Sequence, residues 1–383
     1  MAESQSKTAV TDQMLDSDLL AAFLGQHASI HYDRHTWVDP TGTCRIRVVT
    51  LSHIRSLIQS RTYVGIESSC LSTLQTTSLN GSKTFGRVGQ FDLIPDLTSL
   101  RVCGYASGHA AAMCSFGKAG EVLDMSPRRT LQTAVQKLAR KKLSVILGFE
   151  LEMLLQDKCS TQTATPSFGH VWSSSRSISG QRLKILEDIV EALQLADISV
   201  RQFHSEGVPE QYEVTTDPLY ALAAVDAWVH SRETVYNVCE SNGFRASFHP
   251  KPFKDAGGTG AHVHFSLSDI TVEKSFIAGV LLHLPAICAF GMPTVVSYER
   301  VADSKWTCGT WVAWGTQNRE TPLRKVSPGH WELRCLDATG NMYMSMAAVL
   351  VAGLHGVEDG MELQLKDCLR KFSESSRVRV SVI

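Results

Sequence analysis

The sequence predicts a mixed fold of helices and short strands, of α/β or α+β class, and three observations point there. Apolar residues recur at helical spacing in several segments, apolar and polar residues alternate in others, and the two kinds interleave along the chain. The chain has 383 residues, and at roughly 100–200 residues per domain this suggests two domains or one large one. With 37 Lys plus Arg against 38 Asp plus Glu, no global field favours nucleic acid or an acidic membrane surface, and neither is expected as a partner.

In chain order, residues 1–17 read as a flexible leader without the basic start and apolar core of a secretory signal, so a cytoplasmic protein is expected. Leu19, Leu20, Phe23 and Leu24 then give a short amphipathic helix. Residues 37–49 hold two β-prone runs around Asp39-Pro40-Thr41-Gly42, a hairpin signal. Segments 66–83 and 159–180 are rich in Ser and Thr and read as long surface loops. Ser126-Pro127 opens a helix through Leu131, Ala134, Val135 and Leu138. Asp217-Pro218 repeats that start signal and Asn242-Gly243 supplies the stop. Helices are also expected at 183–195, 272–284 and 342–354. The longest apolar runs fall short of the roughly 20 residues of a bilayer span, so no membrane segment is expected. The 10 cysteines form no Cys-x-x-Cys pair, which argues against a zinc knuckle or a disulfide framework.

Four segments place chemistry on the polar face of an alternating pattern. In Phe149-Glu150-Leu151-Glu152-Met153 the two carboxylates stand side by side, and either a cation or open water relieves their repulsion. Glu206 and Glu213 flank a Gly-x-Pro turn that lets them converge, although acids beside a turn are commonly just solvated. Gly257-Gly258-Thr259-Gly260 enters a strand with His262, His264 and Ser266 on one face, which suits metal ligation or hydrogen-bonded histidines at a sheet edge. The glycine loop lacks both the Gly-x-Gly-x-x-Gly spacing and a following Gly-Lys-Ser/Thr. Glu332 and Arg334 alternate in the fourth segment, and Arg319 and Arg324 lie upstream, fit for phosphate or carboxylate binding or for surface ion pairs. Taken together, the carboxylates and imidazole suit Mg²⁺ or Mn²⁺, and the arginines suit a transferring phosphoryl group.

The order and wording of these segments resemble the glutamine synthetase family from about Trp37 to about Asp367. The matching motifs are Asp39 to Arg47, Pro95-Asp96-Leu97-Thr98, Pro127-Arg128, Glu150-Leu151-Glu152, Glu206 to Glu213, Lys251-Pro252 with the glycine loop and His262-Val263-His264, Asn318-Arg319, and Glu332 to Asp337. The resemblance implies an α+β protein with a β-grasp domain at 18–110 and a catalytic domain at 111–383 whose antiparallel sheet forms an open, funnel-like site. It further implies ring-shaped homo-oligomers. Carried over by motif, Glu152, Glu206 and Glu213 would hold one divalent ion, and Glu150, His262 and Glu332 a second. Arg319 and Arg324 would hold phosphate oxygens, Arg300 and Arg334 the substrate carboxylate beside Gly258, and His264 and Ser266 would lie along ATP. The implied reaction is ATP-dependent activation of a glutamate-like carboxylate and capture of the acyl phosphate by an amine, with Arg319, Glu332 and Arg300 in catalytic roles.

Three departures qualify that reading. The flap after Arg300 reads Val301-Ala302-Asp303-Ser304-Lys305-Trp306-Thr307 where the family carries a proton-accepting Glu, with Trp306 near the expected acid. Gly257 stands where an Asn is usual, and the loop after Gly65 lacks the family's Asp-Gly-Ser-Ser segment. These changes resemble the divergent branch that includes γ-glutamylpolyamine synthetases and the glutamine-synthetase-like domain of a fungal developmental regulator, and they favour an amine other than ammonia. Finally, the helices expected after Cys368 are replaced by a short basic tail ending in Arg377-Val378-Arg379 and four further residues, a shortened catalytic domain. Two functions compete: a carboxylate–amine ligase, and a catalytically impaired nucleotide-binding signalling or scaffold protein. Phosphoryl transfer to a guanidino compound is a distant third.

Overall fold

The computed structural model describes residues 17–71, 89–158, 172–303, 305 and 307–369. The leader before Ser17, most of the two Ser/Thr-rich loops, Trp306 and the basic tail therefore lie outside the described residues. Two compact units are present, one formed by the chain up to Gln132 with Leu195–Asp197, the other by Thr133–Gln194 and the chain from Ile198 onward.

The first unit carries helix α1 (Ser17–Gln26), strands β1 (Tyr32–Val38) and β2 (Cys44–Thr50), helix α2 (Leu51–Ser60), and strands β3 (Val64–Glu67), β4 (Gln90–Val102), β5 (His109–Lys118) and β6 (Glu121–Val122). They form one sheet in the order β2-β1-β5-β4-β3, with β6 beside β5. The expected hairpin is β1–β2, with Trp37 opposite Arg45. Its turn is held by Asp39, fully buried, which accepts from the N–H of Thr41 and Thr43 at 2.9 and 3.1 Å and from Arg45 Nε at 2.7 Å. Gly42 takes φ +83°, open to a residue without Cβ, which is why an Asp-x-x-Gly run makes this turn. Trp37, Ile66, Leu93, Cys114 and Phe116 form one apolar cluster, and Leu20, Val49, Ile54 and Leu97 another.

Two motifs far apart in the chain meet here as an ion pair: Arg128 Nη2 donates to Asp96 Oδ2 at 2.8 Å, while Thr98 donates to the other carboxylate oxygen. Burial works to raise the Asp96 carboxyl, but Arg128 and Thr98 outweigh it and hold it below the usual carboxylate range.

Helix α3 (Pro127–Arg140) begins at the predicted proline. The second unit is built around β7 (Val145–Asp157), the strand that carries the Glu150 and Glu152 pair. It adds helix α4 (Gly180–Leu195), strands β8 (Val200–Ser205), β9 (Gln211–Thr216) and β10 (Leu219–Tyr220), helix α5 (Ala221–Ser241), and strands β11 (Phe244–Ser247) and β12 (Val263–Leu267). Helices α6 (Glu273–Leu282), α7 (Leu284–Gly291) and α8 (Val295–Arg300), strands β13 (Trp314–Thr316), β14 (Leu323–Ser327) and β15 (His330–Leu333), and helix α9 (Met342–Glu358) complete it. The sheet runs β13-β14-β15-β12-β7-β9-β8, with β10 and β11 also on β7, and all its pairs are antiparallel except β13–β14.

Two helix expectations are corrected. The Asp217-Pro218 signal does not start α5: Leu219 and Tyr220 pair with Leu147 and Ile146 as β10, and Asp217 is ion-paired with Arg201. Sheet pairing takes the residues that propensity assigned to a first helical turn. The helix expected at 272–284 ends at Leu282, and a second follows after a bend of 68°. Pro285 lacks an N–H and its ring clashes with the carbonyl four residues back, so the helix breaks at His283. Helices α6 and α9 cross backbone to backbone, since a Cβ on Gly279 would lie 2.2 Å from Ala352 O and one on Gly356 2.1 Å from Ser275 O. Among the described residues no single helix is long and apolar enough to cross a membrane.

The Asp96–Arg128 pair yields a stability prediction. Asp96→Ala leaves a buried guanidinium without its carboxylate and is expected to lower unfolding free energy by about 3–5 kcal/mol. Urea denaturation checks this; a loss below about 1 kcal/mol, the level of an exposed pair, would contradict it.

Candidate active site

Strand register decides which side chains meet. Along β7, Phe149, Leu151 and Met153 are buried in the core, which turns Glu150 and Glu152 to the other face. Glu213 of β9 lies opposite Glu152, and His204 of β8 lies opposite Glu213. On the other flank of β7, His264 of β12 lies opposite Glu332 of β15, which lies opposite Arg324 of β14. One sheet face thus carries an acid and imidazole row that no single segment contains.

The contacts follow this register. His262 Nδ1 lies 2.9 Å from Glu150, 3.4 Å from Glu152 and 3.7 Å from Glu332, so it stands at the junction of the two expected ligand groups. His264 Nε2 lies 2.9 Å from Glu150 as well, and Glu150, His264 and Glu332 offer ligand atoms close enough to hold one ion. Glu206 and Glu213 converge as expected, with His204 between them at 3.6 and 3.3 Å, and these three form a second such group. Glu152 accepts from Gly260 N–H at 2.8 Å and Gln211 Nε2 at 3.1 Å.

Charge is unevenly compensated. Burial works to raise the Glu150 carboxyl, yet the bonds from His262 and His264 outweigh it and hold it well below the usual range. Glu332, with no exposed surface, is also lowered: burial opposes this, but Arg334 prevails. At the other group, burial and then the Glu152 and Glu213 carboxylates push Glu206 up to about 8. Burial likewise raises Glu213, whereas the hydrogen bond to Glu213 lifts His204 to about 9. Carboxylates that resist ionisation for want of positive charge, with hard oxygen donors and an imidazole, fit Mg²⁺ or Mn²⁺.

The acids open onto two cavities. One, of about 570 Å³, is lined by Glu150, Glu152, Glu206, Glu213 and His262 together with Gly258, Arg300, Arg319 and Arg334. The other, of about 440 Å³, is lined by Glu150, His264, Ser266, Arg201 and His330. Arg300 is buried with its Nη2 donating to the carbonyls of Arg334 and Leu336 at 3.4 and 3.2 Å, while its Nε has no partner among the described residues. Such a guanidinium suits an anionic ligand. A Cβ on Gly258 would lie 2.2 Å from Arg300 Cγ, so only glycine lets this arginine reach the cavity. Arg319 is exposed and lies over the Trp172 ring at 5.8 Å.

Not every expected residue faces open space. Arg324 donates to Glu332 at 2.9 Å and to Gln317 at 2.6 Å, and Glu332 is clamped between Arg324 and Arg334. Neither Arg324 nor Glu332 lines either cavity. The flap acid Asp303 accepts from Thr310 N–H at 2.9 Å and Trp311 Nε1 at 3.2 Å, so it holds the turn, and Lys305 and Thr307 face the cavity instead. His204, Gln211 and His330 were missed by sequence reasoning. Alternation in Phe203-His204-Ser205, with the acids of a neighbouring strand in view, was the available signal for the first.

Residues 124–375 match the family model described as the glutamine synthetase catalytic domain. The chain belongs to the glutamine synthetase family. Its α+β catalytic fold is the family's: the structure superposes on GmaS in complex with ADP with a TM-score of 0.81, at 21% identity over 91% of this chain and 84% of that one. Protein fluG of Emericella nidulans is 37% identical over 379 residues, which is 96% of this chain and 43% of fluG, so the chain spans less than half of that relative. A gamma-glutamylpolyamine synthetase of Streptomyces coelicolor is 28% identical over 85% of this chain and 75% of its own length.

A pH prediction follows from the uncompensated acids. The folded pKa values of Glu206 and His204, about 8 and about 9, lie above their ordinary values of 4.5 and 6.5. The folded state therefore retains protons that the unfolded chain has released, and stability falls as pH rises from about 5 to about 9. In chelator the melting temperature is expected to drop by several degrees across this window, and millimolar Mg²⁺ is expected to restore most of it at the alkaline end. A flat metal-free profile in thermal melts at stepped pH would refute the cluster's charge balance.

Proposed function

We propose that this chain is an ATP-dependent carboxylate–amine ligase that forms an amide through an acyl phosphate, using the γ-carboxylate of glutamate and an amine other than ammonia. The observation that carries the reading is the convergence of Glu150, Glu152, Glu206, Glu213 and His262 with Arg300, Arg319 and Arg334 on one cavity. In this reading Glu152, Glu206 and Glu213 hold one Mg²⁺ or Mn²⁺, and Glu150, His262 and Glu332 the other. When bound, such ions would offset charge on the phosphate oxygens of ATP.

The chain's own groups do the rest. Arg300 and Arg334, beside Gly258, grip the α-carboxylate and so orient the γ-carboxylate. A γ-carboxylate oxygen attacks the terminal phosphorus and ADP leaves, with Arg319 neutralising the phosphoryl oxygens, while Arg324 stays on Glu332 and Gln317. The amine nitrogen then attacks the activated carbonyl carbon and phosphate departs. His264 and Ser266, in the cavity that shares Glu150, lie along the nucleotide. The γ-glutamylpolyamine synthetase supports an organic amine, as do Trp172 and Val208 in the cavity lining and the Lys305–Thr307 flap that brings no carboxylate. We read the first unit as the family's β-grasp domain and a homo-oligomeric ring as the assembly.

The test is ADP release by purified protein with Mg·ATP, glutamate and a panel of amines. Turnover is expected to need acid and amine together, to yield amide in step with ADP, and to fall roughly 10²–10³-fold in Arg319→Ala. ATP binding with no amine-dependent turnover would overturn the ligase reading and favour the nucleotide-binding scaffold.

A further inference from the structure

A third cavity, of about 340 Å³, lies within the second unit and carries no charged lining residue. Its walls include Cys288 of α7, Cys308 of the flap and Cys335 just beyond β15, with Met292, Tyr298 and Trp311. Three thiols facing one small opening are not explained by the function proposed above. Cys288 and Cys335 are near enough that each is the largest influence on the other's ionisation. The backbones that carry them run close together: Asp337 N–H donates to Gly291 O at 3.0 Å, and a Cβ on Gly291 would lie 2.1 Å from the Leu336 side chain. Gly291 lies one helical turn after Cys288, and Leu336 and Asp337 directly follow Cys335, so the two cysteines sit on adjoining segments that a disulfide, with Cα atoms about 4.4–6.8 Å apart, would join.

We propose that Cys288 and Cys335 form a dithiol oxidation site, converted by hydrogen peroxide to a disulfide that disturbs the support of Arg300. The two sulfurs are not equivalent. The influence of Cys335, opposed by burial and assisted by Arg300, holds Cys288 below the usual thiol range, which favours it as the attacking thiolate. Burial pushes Cys308 up to about 11, so it stays protonated and unreactive. The Cys288 thiolate attacks one peroxide oxygen, the O–O bond breaks, hydroxide leaves, and a sulfenic acid forms. Cys335 sulfur then attacks the Cys288 sulfur, the S–O bond breaks, and water leaves carrying the Cys335 proton. In sum, two thiols give up two electrons and one peroxide becomes two waters.

The position gives the bond a consequence. Arg300 Nη2 donates to the carbonyls of Arg334 and Leu336, the two residues that flank Cys335. Drawing Cys335 toward α7 shifts both acceptors and with them the guanidinium that faces the larger cavity. That effect on carboxylate binding rests on the proposed function, but the cross-link itself does not.

The experiment treats the whole protein with a few equivalents of peroxide, quenches with catalase, and measures intact mass and a non-reduced peptide map. Expected are a loss of two hydrogen masses, a cross-linked peptide pair containing Cys288 and Cys335, and reversal by dithiothreitol. Cys335→Ser is expected to retain one added oxygen on Cys288 instead. Native protein showing only oxygen addition, or a link through Cys308, or no Cys288–Cys335 link at all, would overturn the proposal. Because the readout is mass, it stands or fails whether or not the protein ligates an amine.

Discussion

Glu152 and Glu213 face each other across adjacent antiparallel strands, and the second unit's candidate site depends on how that repulsion is relieved. Like charges directly opposite in a sheet destabilise it, and burial sharpens the penalty. The protein spreads the relief over several groups: Gly260 N–H and Gln211 on Glu152, and His204 on Glu213. These partners suffice to let the sheet form, yet they leave Glu206 resisting ionisation near neutrality. A hard divalent cation would complete the electrostatics of a site with this residual deficit of positive charge.

Much of this was legible in the sequence, and the particular residues show why. The Glu150–Glu152 pair, His264 with Ser266 on their strand and the Asp39 hairpin are local patterns of period two or of turn chemistry, which survive into the structure, whereas His262 stands one residue before that strand and lines the other cavity. The resemblance also joined distant motifs in the right order, and the Asp96–Arg128 ion pair shows two of them touching. What was not legible is lateral. Nothing in one strand reveals that His204 lies opposite Glu213, or that Arg324 spends its guanidinium on Glu332 instead of on open space. The error at Asp217-Pro218 has this lateral origin, since pairing to β7 claimed Leu219 and Tyr220, whereas the end of the helix expected at 272–284 is a local matter and falls two residues early, at Leu282, beside the His283 and Pro285 that interrupt the apolar run.

The flap shows how a substitution read as a loss can be a reassignment. Asp303 is an acid in the segment where the family places one, but its carboxylate is committed to Thr310 and Trp311. That commitment shapes the turn through Gly309, whose φ of +63° and close approach to Glu320 O leave no room for a side chain. Among the described flap residues it is Lys305 and Thr307, neither of them an acid, that line the cavity.

Glu150 is the one acid that lines both of the cavities where substrate and nucleotide are read to sit, and both His262 and His264 bind it. A single carboxylate with two imidazoles, one toward each cavity, is a shared account of charge. A ligand that draws on it from either side changes what the other side encounters, by the same free energy in both directions. Thermodynamic coupling between the two halves of the site is thus written into one side chain, with no moving part required to transmit it.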